Sequence, residues 1–318
     1  MENMPLDESV KKWMNLFINQ IKGLNYSKNT IFTYNQQLLV FFDYCVENTG
    51  HFLLKTIKPM HITNFFTYID DINIKNKAKA LSSSTKSAYL RTLKSFFKFI
   101  TKNNDELYDF DYLFENFKLK TTSNKKEKIN YLNDKEQTKI VNLFEKRLKK
   151  NKIYINYRNL FLLKLLMQGG LRISEALNLK LSDFELNRDN FYEISILSKG
   201  GDYDTIFMLE DLIKDEMDYF YNIFKQDDYI FISNNGEKMS RILAYKIFET
   251  AYNKCGIKKS GCHILRHTFA MNLLFKDAKI NVIQKALRHK RIQTTLIYAD
   301  TTSDMIKEEL VKVQGSGY

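Results

Sequence analysis

The sequence from residue 263 reads HILRH, and the sequence from residue 287 reads LRHKRIQTTLIY. The first stretch places His263 and Arg266 three residues apart, and the second places His289 nine residues before Tyr298. Each residue type is ordinary by itself, but together they can neutralise a phosphate, move protons and supply a nucleophile. Apolar residues recur with a helical period in and around both stretches, which predicts a mainly helical protein.

Length and charge limit the class of protein. A chain of 318 residues usually forms roughly two domains, because single hydrophobic cores rarely grow beyond about 250–300 residues. The formal net charge is +12, which favours a polyanionic partner, either nucleic acid or an anionic membrane surface. No run of residues approaches the ~18 uninterrupted apolar residues of a membrane-spanning helix. We therefore predict a nucleic-acid partner and no membrane partner.

Cysteine usage and the first residues bear on the compartment. Cys45, Cys255 and Cys262 are odd in number and form no CxxC pair, so they are interpreted as reduced thiols. The first residues lack the basic-then-apolar pattern of a signal peptide. Both observations predict a cytoplasmic protein.

Several helices and one hairpin are predicted along the chain. In the first part, four helices are predicted. Apolar stripes predict one from Val10 to Ile21 that packs through Trp13, Leu16 and Phe17, and two others have Ser27 and Ser84 as N-caps. The fourth covers residues 63–69 and follows Pro59. The second part is predicted to contain a capping box at Asn133 and Glu136, an apolar helix over residues 160–168 that ends at Gly169 and Gly170, a β-hairpin over 191–197 and 205–208, and helices over 244–255, 263–275, 282–287 and 293–299.

Residues 118–130 predict an exposed linker between two domains, residues 1–117 and residues 131–318. This segment has five lysines against one glutamate and almost no apolar residue. Its charge can be simply solvated, or it can lie along a nucleic-acid backbone, and both interpretations remain open. The candidate DNA contacts are Lys118, Lys120, Lys125, Lys126 and Lys128.

The second domain contains the residue types needed to cleave a DNA phosphodiester. Tyr298 can attack phosphorus, but a phenol with a pKa near ~10 must lose its proton during the attack. His263 can accept or orient that proton, and His289 can donate to a non-bridging oxygen. Lys199, at the tip of the predicted hairpin, can protonate the leaving 5′ oxygen.

Two arginines complete this candidate site. Arg172 and Arg266 carry planar guanidinium groups that match phosphate geometry and remain charged. A structural salt bridge to Glu175 is the competing interpretation for Arg172, and simple packing is the competing interpretation for Tyr298, one of 19 tyrosines.

A metal site is the competing interpretation for the histidines of the first stretch. His263 and His267 are four residues apart, the spacing of a helical metal pair. However, Ile264 stands where the HExxH pattern requires its glutamate, and no third ligand is evident, so no metal is predicted.

Taken together, the motifs resemble those of the tyrosine site-specific recombinases, the phage integrase family. The segment Gly169–Leu179 (GGLRISEALNL) resembles the family's first-arginine segment, and His263–Ala270 (HILRHTFA) resembles its His-x-x-Arg segment. Leu287–Tyr298 resembles the segment with the second histidine and the nucleophile, and Lys199 matches the hairpin lysine. The helical first part, with Ser27–Ile31, is similar to the family's core-binding domain.

The resemblance implies a role for each residue. Tyr298 would form a 3′-phosphotyrosyl link and release a 5′-hydroxyl, with Lys199 as general acid and His263 as the base. Arg172, Arg266 and His289 would stabilise the transition state, and Glu175 would hold the site together. The covalent link conserves the phosphodiester energy, so no ATP, metal or other cofactor is expected.

Two positions depart from the family pattern. Arg288 stands where glycine is usual before the second histidine, and Cys262 stands where proline is common before the first. Arg288 could make an additional DNA phosphate contact or could be a solvent-facing charge, and both interpretations remain open.

The resemblance also implies an architecture. It is a mainly α fold with a small β-hairpin or sheet in the catalytic domain (131–318), which with the core-binding domain (1–117) forms a C-shaped clamp around duplex DNA at a specific core site. Residues 302–313 carry Met305, Ile306, Leu310 and Val311 at helical spacing. This apolar stripe can pack on its own domain, but the resemblance favours docking into a neighbouring protomer of a dimer or tetramer.

The leading hypothesis is therefore a site-specific recombinase that acts as a tetramer on two DNA sites. Its role would be Xer-type chromosome or plasmid resolution, or integration and excision of a mobile element. The alternatives are a type IB topoisomerase and a non-catalytic sequence-specific DNA-binding protein. The two-domain length and the C-terminal apolar stripe favour recombination, and a mere binder needs no nucleophile.

Overall fold

The computed structural model describes residues 8–49, 53–77, 79–115, 117–119, 129–197 and 203–299. This part is mostly helical with one small three-stranded antiparallel sheet, which confirms the fold class predicted from the sequence. The chain divides into two compact units, Met1–Lys126 and Glu127–Tyr318. No helix in the described ranges is both long enough and apolar enough to cross a membrane.

The described part of the first unit is a helical bundle with an aromatic core. Its edge-to-face ring pairs include Phe17 with Phe96, with ring centroids 5.5 Å apart, and Phe41 with Phe65, at 5.0 Å. Such pairs stabilise a core beyond the burial of their apolar area. The helices are α1 (Glu8–Gly23), α2 (Lys28–Thr49), α3 (Pro59–Lys77) and α4 (Ser83–Asn103), with short 3-10 turns at Leu54–Thr56 and Asp111–Leu113.

The helix starts of this unit agree with the sequence in one case and differ in another. The Ser27 hydroxyl accepts a hydrogen bond from the third residue of α2, which confirms the predicted cap. The cap of α4 is Ser82 rather than Ser84, so that prediction was wrong by two residues.

The buried face of α1 also differs from the prediction. Leu16 is 42% exposed, contrary to its predicted core position. The buried stripe of α1 is instead Val10, Met14, Phe17 and Ile21.

The second unit is built around one apolar helix, α6. Every residue from Leu160 to Met167 except Lys164 is buried, and a helix without a polar face belongs inside a core. The predicted end of this helix before Gly169 is confirmed. The other helices are α5 (Asp134–Lys150), α7 (Ile173–Ala176), α8 (Glu210–Ile223), α9 (Arg241–Lys254), α10 (His263–Phe275), α11 (Ile280–Ala286) and α12 (Gln293–Ala299), and α6 itself spans Tyr154–Met167.

The sheet and the start of α5 follow the sequence pattern. Strands β2 (Phe191–Leu197) and β3 (Tyr203–Leu209) pair antiparallel, with Ile194 opposite Ile206, as predicted for the hairpin. A third strand, β1 (Phe184–Leu186), pairs with β2 and was not predicted. The capping box of Asn133 and Glu136 is confirmed, with both reciprocal hydrogen bonds at 2.9 Å.

A close approach between the end of α6 and α10 positions the candidate site. Gly170 has φ +63°, a left-handed conformation that favours glycine. A Cβ atom built on Gly170 would lie 2.3 Å from the Phe269 ring of α10. Met271 of α10 packs with Ile283 of α11 and Tyr298 of α12 in one buried cluster, and Phe269 packs against it. Helix α10 therefore contacts all the segments that carry the predicted site residues other than Lys199.

Replacing Gly170 by alanine should lower the free energy of unfolding more than the same change at Gly236, whose φ is +78°. Each alanine costs about 1–2 kcal/mol in the left-handed region. Only at Gly170 does the new methyl group also meet a packed ring, because nothing lies within 4 Å of a Cβ at Gly236. Overpacking adds about 1–3 kcal/mol. Denaturant titration measures both losses, and equal losses would contradict this packing.

Candidate active site

Arg172 lies directly after the glycine break that ends α6. Its backbone N–H donates to Glu175 Oε2 at 2.8 Å, and its Nη1 donates to Glu175 Oε1 at 2.6 Å. The salt bridge considered from the sequence is therefore present. The Arg172 side chain nevertheless remains 36% exposed, so the guanidinium can still meet a ligand from outside.

Arg266 is buried on α10 and bridges two other segments. Its Nη1 donates to the Gly170 carbonyl at 2.5 Å, and its Nη2 donates to the Leu287 carbonyl. Burial, together with the charges of Arg172 and Arg288, lowers the pKa of Arg266 to about 9. Arg266 therefore still carries its charge at neutral pH.

Glu175 is the shared acidic partner of three arginines. Besides the two bonds from Arg172, its carboxylate accepts from Arg288 Nη2 at 2.8 Å and lies 3.7 Å from Arg266 Nη1. Burial alone would raise the pKa of Glu175, but the charge of Arg288 and the hydrogen bonds from Arg172 lower it on balance. The carboxylate therefore stays ionised among the guanidinium groups.

His289 follows α11 and is oriented by a buried threonine of α12. Its Nδ1 lies 2.9 Å from Thr295 Oγ1, and its backbone carbonyl accepts from Gln284 Nε2 at 3.1 Å. Burial, with the charges of Arg266 and Arg172, lowers the pKa of His289 to about 4. The imidazole is therefore neutral at pH 7, and its Nδ1 is directed at Thr295.

Tyr298 is buried at the end of α12, with 1% of its surface exposed. Its hydroxyl lies 2.8 Å from His267 Nδ1. Burial raises the pKa of the phenol, and the charges of Arg266 and Arg172 partly oppose that shift. The phenol is therefore protonated at neutral pH and needs a proton acceptor before it can attack.

The histidine in contact with Tyr298 differs from the one that the resemblance implies. His263 is exposed at the start of α10, whereas His267, one turn later, makes the hydrogen bond. Burial, with the nearby His263 and Arg266, lowers the pKa of His267, so its neutral ring can accept a proton. The four-residue spacing of the two histidines was the available sequence signal, but it was interpreted only as a possible metal pair.

At both positions that depart from the family pattern, the backbone φ angle is one that the usual family residue could adopt. Arg288 has φ +52°, a conformation that glycine adopts freely, and Cys262 has φ −71°, within the range that proline imposes. The expected DNA contact of Arg288 does not fit, because its side chain is only 5% exposed and its guanidinium is bonded to Glu175. A solvent-facing charge is excluded for the same reason.

Of the remaining candidate residues, one lies within the described ranges and the others lie outside them. Lys118 is exposed, but the next residue, Leu119, packs against the core of the first unit and is not the exposed linker residue that was predicted. Lys199 and four linker lysines lie outside the described residues, as do residues 302–313; those lysines are Lys120, Lys125, Lys126 and Lys128. Within the described ranges, no group of three or more His, Cys, Asp or Glu residues could hold a metal ion.

Comparison with known proteins identifies the family of this chain. The model of the phage integrase family matches residues 130–305, more than half of the chain. The tyrosine recombinase XerA of Pyrococcus furiosus is 30% identical over 237 residues, which cover 74% of this chain and 76% of that protein. The tyrosine recombinase XerH of Campylobacter jejuni is 30% identical over 234 residues, which cover 72% of this chain but just under two thirds, 65%, of that protein.

A solved structure shows the same fold. The XerH site-specific recombinase bound to a palindromic difH substrate, in a post-cleavage complex, superimposes with a TM-score of 0.77. The match covers 97% of this chain and 99% of that one, at 23% identity. Because the family model, the two relatives and the fold all agree, we conclude that the chain belongs to the phage integrase family.

Proposed function

We propose that this protein is a site-specific DNA recombinase that cuts and rejoins strands through a covalent 3′-phosphotyrosyl intermediate at Tyr298. The observation that carries the proposal is that the Tyr298 phenol, a neutral histidine and the charged Arg172 and Arg266 lie in one site of one folded unit. The XerA and XerH relatives favour recombination over a topoisomerase or a silent DNA-binding protein.

The first step begins with the loss of the phenol proton. His267 Nδ1 is within hydrogen-bonding distance of the Tyr298 hydroxyl, so it can accept this proton as the oxygen attacks phosphorus. The bond from the tyrosine oxygen to phosphorus forms while the bond to the 5′ oxygen breaks. Lys199 is our candidate to protonate that leaving oxygen.

Charge stabilisation at phosphorus comes from fixed groups. The guanidinium groups of Arg172 and Arg266 and the free ring nitrogen of His289 would face the non-bridging oxygens, where negative charge develops. Because these groups are held in place before DNA binds, little reorganisation is needed during the reaction. Rejoining is the reverse reaction, in which the 5′-hydroxyl of a second strand displaces Tyr298.

DNA recognition and assembly involve the rest of the chain. We assign core-site binding to residues 1–117 and catalysis to residues 131–318, with the basic segment 118–130 as the linker between them. The net charge of +12 supports a DNA partner, and solved structures with the same fold include complexes with DNA. We further propose that residues 302–313 join protomers into a tetramer on two sites, and that the protein acts in the cytoplasm.

Tyr298→Phe should abolish covalent protein–DNA complexes while leaving DNA binding within about twofold of the parent, because only the nucleophilic oxygen is lost. The substrate is a nicked duplex with the sequence that the parent selects from random-sequence DNA, and adducts are counted on denaturing gels. The control is Tyr221→Phe, the same chemical change on a half-exposed residue of α8. Equal adduct yields for Tyr298→Phe and the parent would refute the assignment.

His267→Ala should lower the rate of adduct formation by about 10²–10⁴-fold at pH 7, the usual size of general-base catalysis. Because the pKa of the phenol is raised, the variant should recover only as pH rises toward that value. The pKa of His267 is lowered, so the parent should stay active down to pH values below the ordinary histidine value.

The matched control is His263→Ala on the exposed preceding turn. It should cause a smaller loss and should keep the parent's pH profile. The opposite ranking of the two variants would return the role of base to His263.

A further inference from the structure

Arg288 occupies a backbone position suited to glycine. Its φ of +52° lies in the left-handed region, where a side chain is disfavoured. The arginine between α11 and His289 is therefore held in a locally strained backbone conformation. Strained backbone of this kind is found where the surrounding contacts require it, so the contacts of the side chain are informative.

The guanidinium of Arg288 points inward and is bonded on several sides. Its Nη2 donates to Glu175 Oε2 at 2.8 Å and to the Gly170 carbonyl at 3.3 Å, and its Nη1 donates to the Ala286 carbonyl at 2.9 Å. Only 5% of the side chain is exposed, although its buried Nε has no hydrogen-bond partner within the described residues. Such burial of a charge is stable only when the charge is paired, and Glu175 pairs it.

These bonds connect two segments that both carry site residues. Gly170 and Glu175 flank Arg172, whereas Arg288 is adjacent to His289 and precedes α12 with Tyr298. Arg266 also links these segments, but it does so from a third element, α10. Arg288 joins them directly.

Arg288 also changes the charge of the site. Three guanidinium groups around one carboxylate leave an excess of two positive charges, where glycine at this position would leave one. A phosphorane-like transition state carries about two negative charges on its non-bridging oxygens, so the additional charge lies where it is stabilising.

We propose that Arg288 is a positioning residue for strand cleavage, which acts through Glu175 and the Gly170 carbonyl to hold the His289–Tyr298 segment against Arg172. It does so without touching DNA. This inference rests on the proposed recombinase function and adds to the family pattern a residue that the pattern does not contain.

The test is Arg288→Gly, which removes the guanidinium and relieves the backbone strain. On the nicked duplex selected by the parent, at saturating DNA, the rate of adduct formation should fall by about 10- to 100-fold, the range expected from a small misplacement of reacting groups. DNA affinity should stay within about threefold of the parent. The control is Arg291→Gly, which removes a positive charge from an exposed residue of the same connection and should keep the parent's rate.

A double-mutant cycle with Glu175→Gln separates positioning from general damage. If Arg288 acts through Glu175, Arg288→Gly should slow the reaction much less in the Glu175→Gln background than in the parent. Full additivity of the two effects would overturn the proposal. So would an equal loss of binding and cleavage in the single variant, or a rate equal to that of the parent.

Arg288→Lys is a second variant, which tests the positioning role even if Arg288→Gly fails to fold. Lysine retains the charge but has no planar fork to reach Glu175 and two carbonyls together, so its rate should lie between those of the parent and Arg288→Gly. A lysine variant as fast as the parent would overturn the positioning role. If the parent itself forms no adduct, the proposed function fails, which is distinct from failure of the Arg288 proposal alone.

Discussion

The buried carboxylate of Glu175 is the interaction on which the candidate site depends. Three guanidinium groups, those of Arg172, Arg266 and Arg288, gather around it, and without a negative charge between them they would repel one another. Their own contacts keep this carboxylate ionised despite its burial. Breaking such a buried pair by removing one member is strongly destabilising, because the remaining charge is left without compensation. The site is therefore a mutually dependent cluster rather than a set of separate residues.

This cluster also determines the protonation of the groups around it. Burial, together with nearby positive charge, lowers the pKa values of His289 and His267, so both rings are neutral at physiological pH. A neutral His267 can accept the phenol proton, and a neutral His289 can use one ring nitrogen for Thr295 and the other for phosphate. In the proposed reaction, the charge needed at phosphorus therefore comes from the arginines, and His267 accepts the phenol proton. This division of roles requires no titration of the arginines at working pH.

Hydrophobic periodicity predicted most of the fold, and the exceptions have identifiable causes. The bounds of α10 and α12 agree with the apolar pattern, because both helices pack one face on a core. Helix α8 was missed although Ile213, Met217 and Phe220 recur at helical spacing, and its buried face also carries Glu216, paired with Lys164 at 2.6 Å. Strand β1 was missed because it has only three residues. The contacts of His267 and Arg288 depend on how distant segments pack, so motif spacing brought the site residues to attention but not these two partners.

In the proposed reaction, one chain supplies both the nucleophile and the arginines of a single site, because Tyr298 is buried beside His267 of the same chain. The most direct measurement mixes two inactive proteins, Tyr298→Phe and Arg172→Ala, on a nicked duplex selected by the parent and counts covalent adducts. If each subunit uses its own tyrosine, no protomer in the mixture has a complete site, and adducts should stay at the background of either variant alone. Recovery of adducts in the mixture would show that a neighbouring subunit delivers the tyrosine and would contradict this account.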